Sequence, residues 1–175
     1  MSWEIIIQAF WIILPAYIAN ASPAFLAGFF KRKFHPIDMN KKWNKKRLLG
    51  DGKTIEGTLF GIMTGTITAM IISILAQGTV YLIAVDYLLL GILLSAGALV
   101  GDIFGSIVKR RMGLKRGAKA PILDQLDFLC FALLFAAIVY IPAWEVIVFL
   151  LIVTPIIHLF VNFLGYTLGM KDVPW

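Results

Sequence analysis

Long apolar runs, separated by short polar segments, constrain the fold of this 175-residue chain more than any other feature. Hydrophobic residues make up 60% of the chain and charged residues 15%, against roughly 45–50% and about 25% in soluble domains. About 20 apolar residues are enough to cross the hydrocarbon layer of a membrane as a helix. The sequence therefore predicts an all-α integral membrane protein with five transmembrane helices, folded as a single domain over residues 1–175.

The predicted spans cover approximately residues 4–30, 55–77, 80–106, 123–141 and 143–168. A tight turn at Gln77-Gly78-Thr79 joins the second span to the third. Pro142 separates the fourth span from the fifth, because proline does not easily continue a helix. The remaining interhelical segments, 31–54 and 107–122, are predicted to be loops.

Basic residues are almost confined to those two loops. Fifteen of the sixteen Lys and Arg residues lie in segments 31–53 and 109–119, and the two short turns carry none. The positive-inside rule explains this distribution, so the net charge of +6 does not indicate a nucleic-acid partner. The rule predicts a multi-pass cell-membrane protein whose two basic loops and C-terminus are cytoplasmic and whose N-terminus is outside.

Two of the spans carry glycines at intervals of four residues. They are Gly57, Gly61 and Gly65 in the second span and Gly97, Gly101 and Gly105 in the third. Residues four apart share a helix face, and glycine allows helix backbones to approach closely in lipid. We therefore expect both helices to pack tightly, against each other or against a neighbouring helix.

Acidic side chains flank the second basic loop. Asp102, Ser106 and Lys109 are spaced i, i+4, i+7 and share one side of the third span, and Asp124 and Asp127 lie on the first turn of the fourth. Ionisable groups within a span are usually functional or paired, and carboxylates are preferred ligands of Mg²⁺. The pattern predicts a Mg²⁺ site at Asp102, Asp124 and Asp127. A packing ion pair at Asp102 and helix capping by one of the other acids are the alternatives.

The first loop ends in a candidate anion site. Gly52-Lys53-Thr54 precedes the second span, and the N–H groups at a helix start can bind phosphate. A P-loop is excluded, because Arg47 stands where its first glycine should be and no strand precedes it. Glu56 lies one turn from Lys53 and is expected to orient it, unless the segment is only a capped helix start. Asn20, in the first span, is a further candidate substrate contact.

Carboxylates that hold a divalent metal, beside cations that hold phosphates, are the groups that phosphoryl-transfer chemistry requires. Their position at the edge of an apolar layer indicates a reaction between a soluble nucleotide and a lipid.

The same residues resemble the signature of the phosphatidate cytidylyltransferase (CDP-diacylglycerol synthase) family. The resemblance rests on the motif Ser106-x2-Lys109-Arg110-x4-Lys115, followed by Asp124-x2-Asp127. A second set of residues, together with the short five-span length, is similar to the archaeal branch, the CDP-archaeol synthases. That set is Asp51-Gly52-Lys53-Thr54-x-Glu56-Gly57 and Gly101-Asp102.

The resemblance implies a nucleotidyltransferase that transfers CMP from CTP to an isoprenoid glycerol-ether phosphate, unsaturated archaetidic acid. The products would be CDP-archaeol and pyrophosphate. The implied cofactor is Mg²⁺, and the implied partners are CTP, the lipid phosphate and the bilayer. It implies catalytic roles for Asp102, Lys109 and Asp124. The residues expected to contact substrate are Asn20, Lys53, Thr54, Glu56, Ser106, Arg110, Lys115 and Asp127.

Other functions fit the sequence less well. A small transporter for an anion or a phosphate compound would use the same cations, but inverted repeats are typical of transporters and the sequence shows no clear repeat. A non-enzymatic scaffold would explain the glycines and leave the clustered acids unexplained. A CDP-alcohol phosphotransferase needs a longer acidic motif, whereas Phe128 and Leu129 follow Asp127 here.

Overall fold

The computed structural model describes residues 2–30, 33–43, 46–75, 85–114, 118, 120 and 122–169. Within these ranges the chain forms five α-helices and one two-stranded antiparallel hairpin, which confirms the predicted all-α class. The helices are α1 (Trp3–Phe30), α2 (Ile55–Leu75), α3 (Tyr87–Arg111), α4 (Leu123–Ala136) and α5 (Trp144–Thr167). The hairpin pairs β1 (Lys42–Trp43) with β2 (Lys46–Arg47) in the segment between α1 and α2.

Four of these helices, α1, α2, α3 and α5, are long and apolar enough to cross a membrane. Large apolar side chains such as Leu59, Ile74 and Phe160 are exposed on their outer faces, as expected where a helix faces lipid. The fourth helix is shorter than predicted. Its 14 residues extend roughly 21 Å at about 1.5 Å per residue, whereas the hydrocarbon layer is about 30 Å thick.

The end of α4 differs from the prediction because the chain turns before Pro142. The helix ends at Ala136 rather than at Ile141, and residues 137–139 form a hydrogen-bonded turn. The residue that precedes a proline is disfavoured in helical conformation, so Ile141 lies outside any helix and the next helix begins at Trp144.

The predicted bounds of the third span were also wrong. The Asp86 carboxylate accepts hydrogen bonds from the N–H groups of Leu88 and Leu89, so it caps α3 and fixes its start at Tyr87. At the other end α3 continues five residues past Ser106, because cations in the last turn complement the helix dipole. The predicted loop 107–122 therefore begins as helix. The predicted turn 77–79 lies outside the described residues.

Both glycine-bearing helices pack closely on neighbours, as predicted. A Cβ atom placed at Gly61 of α2 would lie 2.6 Å from the carbonyl oxygen of Ala19 in α1. A Cβ atom at Gly101 of α3 would lie 2.8 Å from the Cα atom of Phe128 in α4. Glycine is therefore required at these two helix contacts, because any side chain would force the backbones apart.

The helices alternate in direction. In α2, Gly57 faces Pro23 and Gly65 faces Pro15, so α2 runs antiparallel to α1. In α3, Gly97 faces Ala132 and Gly101 faces Phe128, so α4 runs antiparallel to α3. The core between them is apolar and its largest fully buried side chains include Ile12, Ile13, Leu90, Leu94, Leu129 and Leu150.

Candidate active site

The charged residues predicted to form the site gather at one end of the helix bundle. Because the helices alternate in direction, the ends of α1 and α3 meet the starts of α2 and α4 there. A cleft opens at this end between the three helices that carry Pro23, Thr58 and Asp102. Lys53 and Thr54, which precede α2, line the same cleft. Residues that the sequence places in separate segments therefore share one site.

Lys53 and Asp102 form an ion pair across this cleft, although 49 positions separate them in the chain. The Lys53 ammonium group donates a hydrogen bond to Oδ2 of Asp102. Their side chains are only 23% and 28% exposed, so the pair is partly shielded from water. Charge pairs that are shielded in this way interact more strongly than pairs on an open surface.

A second ion pair lies beside the first. Nζ of Lys109, on α3, is 2.5 Å from Oδ1 of Asp124, on the first turn of α4. The other oxygen of Asp124 accepts the N–H of Ala120 at 3.0 Å, so the same carboxylate orders the chain just before α4. Asp124 also lies in the first turn of α4, where the helix dipole favours a carboxylate, although α4 has no side-chain N-cap hydrogen bond.

Asp127 completes the charged group. Its carboxylate lies directly over Gly105, where any side chain would overlap it. Oδ1 of Asp127 accepts the N–H of Phe128 at 2.6 Å. Asp127 and Asp102 are close enough to repel each other, and the positive charges of Lys53 and Lys109 partly offset this repulsion. We call these residues the acid–lysine cluster; its members are Lys53, Asp102, Lys109, Asp124 and Asp127.

The donor groups of the cluster suit Mg²⁺, because that ion prefers carboxylate oxygens and a cation would relieve the repulsion between Asp102 and Asp127. The arrangement differs from a three-acid site, however. Asp102 and Asp124 each take a lysine as counter-ion. Within the described part of the chain, no three His, Cys, Asp or Glu residues are arranged to hold a metal ion. The metal site therefore stays a prediction.

The start of α2 is a capped helix rather than an open anion cradle. Oγ1 of Thr54 accepts the N–H of Gly57 at 3.1 Å, and the N–H of Ile55 donates to the carbonyl of His35 at 2.9 Å. Glu56 does not orient Lys53, contrary to expectation. It accepts the N–H of His35 at 2.9 Å and lies 2.6 Å from its ring nitrogen Nδ1, while Lys53 points to Asp102.

Two further predicted substrate contacts are hydrogen-bonded within the protein, and a third lies outside the described residues. The Ser106 hydroxyl donates to the carbonyl of Asp102 at 3.0 Å, one turn earlier in α3. Arg110 Nη1 donates to the carbonyl of Leu114 at 2.6 Å and so satisfies the chain just beyond α3. Lys115 lies outside the described residues.

Asn20 carries a buried polar atom that has no hydrogen-bond partner among the residues that the structure describes. The atom is its side-chain oxygen Oδ1, and the residue lies one turn before Pro23, which lines the cleft. An unpaired buried acceptor costs about 1–3 kcal/mol, so such groups usually serve a ligand or a bound water.

The sequence analysis missed the residues that order the first loop. Asp38 is buried there, and Arg47 donates to it at 2.8 Å, as do the N–H groups of Leu49 at 3.1 Å and Gly50 at 3.0 Å. Burial opposes ionisation of this carboxyl, but these hydrogen bonds outweigh it and hold the pKa of Asp38 well below its ordinary value. The available signal was that Asp38 is one of only two acids in the strongly basic segment 31–53.

Alternating apolar helices with a charged cluster at one end define a polytopic membrane protein with a site at the edge of the lipid. A solved structure described as an intramembrane enzyme for archaeal membrane lipid biosynthesis has this fold, with a TM-score of 0.77 and 37% sequence identity. The alignment covers 89% of this chain and 93% of that one. The fold therefore belongs to a class of intramembrane enzymes.

Sequence comparison identifies the family. A family model for CarS-like CDP-archaeol synthases matches residues 2–175. The CDP-archaeol synthase of Methanococcus aeolicus is 45% identical, over 98% of this chain and 97% of its own. The CDP-archaeol synthase of Methanocaldococcus jannaschii is 40% identical, over 100% of both chains. That of Pyrococcus abyssi is 47% identical, over 97% of this chain and 98% of its own. This chain belongs to the CDP-archaeol synthase family.

Family membership confirms the resemblance drawn from the motifs. The matched relatives carry the name of a synthase, so they give no support to the alternative of an anion transporter.

Proposed function

We propose that this protein is the cytidylyltransferase that forms CDP-archaeol from CTP and an isoprenoid glycerol-ether phosphate, with release of pyrophosphate. The observation that supports it best is the acid–lysine cluster at one end of apolar helices, in a chain of the CDP-archaeol synthase family. A soluble nucleotide reaches such a site from water, while the lipid phosphate reaches it from the membrane surface.

The reaction requires mainly positioning and charge neutralisation. A phosphate oxygen of the lipid forms a bond to the α-phosphorus of CTP, and the bond from that phosphorus to the β-phosphate oxygen breaks. Lys53 and Lys109 stabilise the negative charge on the transferred and leaving phosphates, and Arg110 adds a further cation at the end of α3. No side chain has to remove a proton from an ionised lipid phosphate.

Mg²⁺ is the cofactor that we propose. Asp102 and Asp127 are the residues assigned to hold it, with Asp124 as the third acid of the set. When bound, the ion offsets charge on the triphosphate oxygens and fixes their orientation. A cation on these acids would replace Lys53 and Lys109 as their counter-ions, which makes both ammonium groups available to phosphate.

Asn20 and Thr54 are proposed as neutral substrate contacts. The unpartnered Oδ1 of Asn20 is an acceptor and matches the exocyclic amino group of cytosine. The Thr54 hydroxyl lines the cleft and uses its oxygen to cap α2, so its own hydrogen remains for a phosphate oxygen. Ser106 and Glu56 are bonded within the protein, which makes direct contact with substrate less favourable for them.

We propose five membrane crossings, with the cluster on the cytoplasmic side of the cell membrane. The Gln8 amide, near the start of α1, donates to the Tyr140 hydroxyl at 3.0 Å. The chain after α4 therefore lies at the end of the bundle where α1 begins. Ile138 and Ile141 are exposed and continue the apolar surface beyond α4. Cations at the cluster end support the cytoplasmic assignment through the positive-inside rule.

The test is a reaction with purified protein in detergent. We expect pyrophosphate release only when CTP, Mg²⁺ and unsaturated archaetidic acid are all present, together with transfer of the radiolabelled cytidine into a lipid-soluble product. Mixtures that lack the lipid phosphate are the control. Absence of release with every lipid phosphate tried, combined with uptake of labelled phosphate compounds by reconstituted vesicles, would instead identify a transporter.

A further inference from the structure

We propose that Arg111 is a positioning residue that docks the β1–β2 hairpin onto α3 and thereby places Lys53 opposite Asp102. The proposal rests on the function assigned above, because it concerns the geometry of the same site. Arg111 belongs to neither of the motifs that identified the site. Within the described part of the chain, its side chain bonds to Trp43 and Arg47 and to no member of the acid–lysine cluster.

Arg111, the last residue of α3, holds both strands of the hairpin. Its Nη1 donates to the carbonyl of Trp43 on β1 at 3.1 Å, and its Nη2 donates to the carbonyl of Arg47 on β2 at 3.0 Å. The guanidinium also lies over the Trp43 ring, 5.3 Å from the ring centroid. A planar group with two parallel donors suits this contact better than a single ammonium group.

The hairpin transmits this contact to the segment that carries Lys53. The Arg47 side chain donates to Asp51 at 2.5 Å and to the buried carboxylate of Asp38 at 2.8 Å. Asp38 also binds the N–H groups of Leu49 and Gly50, so the chain between β2 and Asp51 is tied to a single buried anchor.

The backbone of Lys53 itself is bound to the same loop. Its carbonyl accepts the N–H of Ile37 at 2.9 Å, and the next bond, from the N–H of Ile55 to the carbonyl of His35, is also 2.9 Å. Lys53 therefore moves with the hairpin as one folded unit. The position of that unit relative to α3 decides whether the Lys53 ammonium group reaches Asp102.

Arg111 and Asp102 lie on the same rigid helix, nine residues or roughly 13.5 Å apart at about 1.5 Å per residue. A loop held at both points has its orientation relative to α3 defined, whereas a loop held only by the Lys53–Asp102 pair can pivot about it. A displacement of about 1 Å at a catalytic group can cost on the order of 100-fold in rate.

The first test is Arg111→Ala, with Lys42→Ala as the control. Lys42 is an exposed cation on β1, so its removal changes the charge of the hairpin without touching the Arg111 contacts. We expect Arg111→Ala to lower kcat/KM for CTP by roughly 10- to 100-fold, and Lys42→Ala to change it by less than about twofold. Arg111→Lys should lie between them, because it keeps the charge and loses the two-donor fork.

A double-mutant cycle with Lys53→Ala separates positioning from a general loss of structure. If Arg111 acts through Lys53, Arg111→Ala should cause little further loss once Lys53 is absent. Equal losses in both backgrounds would overturn the proposal, as would wild-type kinetics in Arg111→Ala.

Amide hydrogen exchange gives an independent readout that needs no activity. Arg111→Ala should raise exchange at Ile37, Leu48 and Ile55, and leave the middle of α3 protected. Unchanged exchange at these three amides would contradict the docking role, whatever the result of the double-mutant cycle. If the wild-type protein is inactive but Arg111→Ala still raises exchange at these amides, the enzymatic function is refuted and the docking role stands.

Discussion

At the scale of single residues, each acid of the cluster has a distinct environment. Asp102 is bound to Lys53, Asp124 is bound to Lys109 and to a backbone N–H, and Asp127 is pressed against a glycine. Paired charges that are partly shielded from water are typical both of structural ion pairs and of catalytic sites. Replacement of one acid by its amide distinguishes the two, because it keeps the shape of the side chain.

Asp102→Asn should abolish formation of the CDP-lipid, since the amide can neither neutralise Lys53 nor serve as an anionic ligand. The protein should still be folded when it is purified in detergent, because the substitution preserves the size of the side chain and lies at the edge of the bundle. Transfer of radiolabelled cytidine from CTP to lipid measures the loss. Turnover near that of the wild type would refute the assigned role.

Asp86→Asn provides a matched control on the same helix. Asp86 caps the opposite end of α3, and asparagine is as good a capping residue as aspartate. The identical chemical change should therefore leave turnover within about twofold of the wild type.

At the scale of whole elements, close helix contacts hold the cluster in place. Gly57 and Gly61 allow α2 to pack closely on α1, and Gly101 and Gly105 allow α3 to pack closely on α4. The second contact sets the distance from Asp102 to Asp127, because Gly105 lies directly beneath the Asp127 carboxylate. The glycine periodicity therefore contributes to the site as well as to packing.

Gly61→Ala should destabilise the bundle by about 1–3 kcal/mol, the usual cost of excess volume at a packed contact. The new methyl group would lie 2.6 Å from the carbonyl of Ala19 and 2.9 Å from Cδ1 of Leu99. We expect a lower melting temperature in detergent than for the wild type. Met63→Ala, on the exposed face of the same helix, is the control and should melt near the wild type. Equal melting of both variants would contradict the role of the glycine.

At the scale of the whole molecule, the helices alternate in direction, so the ends of α1 and α3 lie beside the starts of α2 and α4. The Tyr17 hydroxyl lies 2.7 Å from that of Thr154, and Phe10 packs on Phe149, so α1 and α5 run in the same direction. This shared direction supports the odd number of membrane crossings that we propose.

Cysteine labelling tests this topology. In a Cys130→Ser background, Ser2→Cys should react with a membrane-impermeant maleimide in intact cells. Lys42→Cys should react only after the cells are permeabilised, because the hairpin is cytoplasmic in our proposal. Labelling of both positions from the same side would refute an N-terminus outside the cell.

The sequence alone predicted the features that local chemistry determines. Long apolar runs set the helical membrane class, glycine spacing predicted close packing, and the motif around Ser106, Lys109 and Asp124 indicated the family. Each of these signals lies within a short segment, so no knowledge of distant contacts was needed.

Only the tertiary structure decided which charges meet. Lys53 pairs with Asp102 across 49 positions, Glu56 turns to His35 instead of Lys53, and Arg111 binds a hairpin that the sequence did not reveal. Arg111, the last residue of α3, contacts that hairpin across more than 60 positions in the chain. Composition and spacing specify which groups are present and on which helix face they lie. Their pairing depends on how separate segments pack in space, which local pattern does not encode.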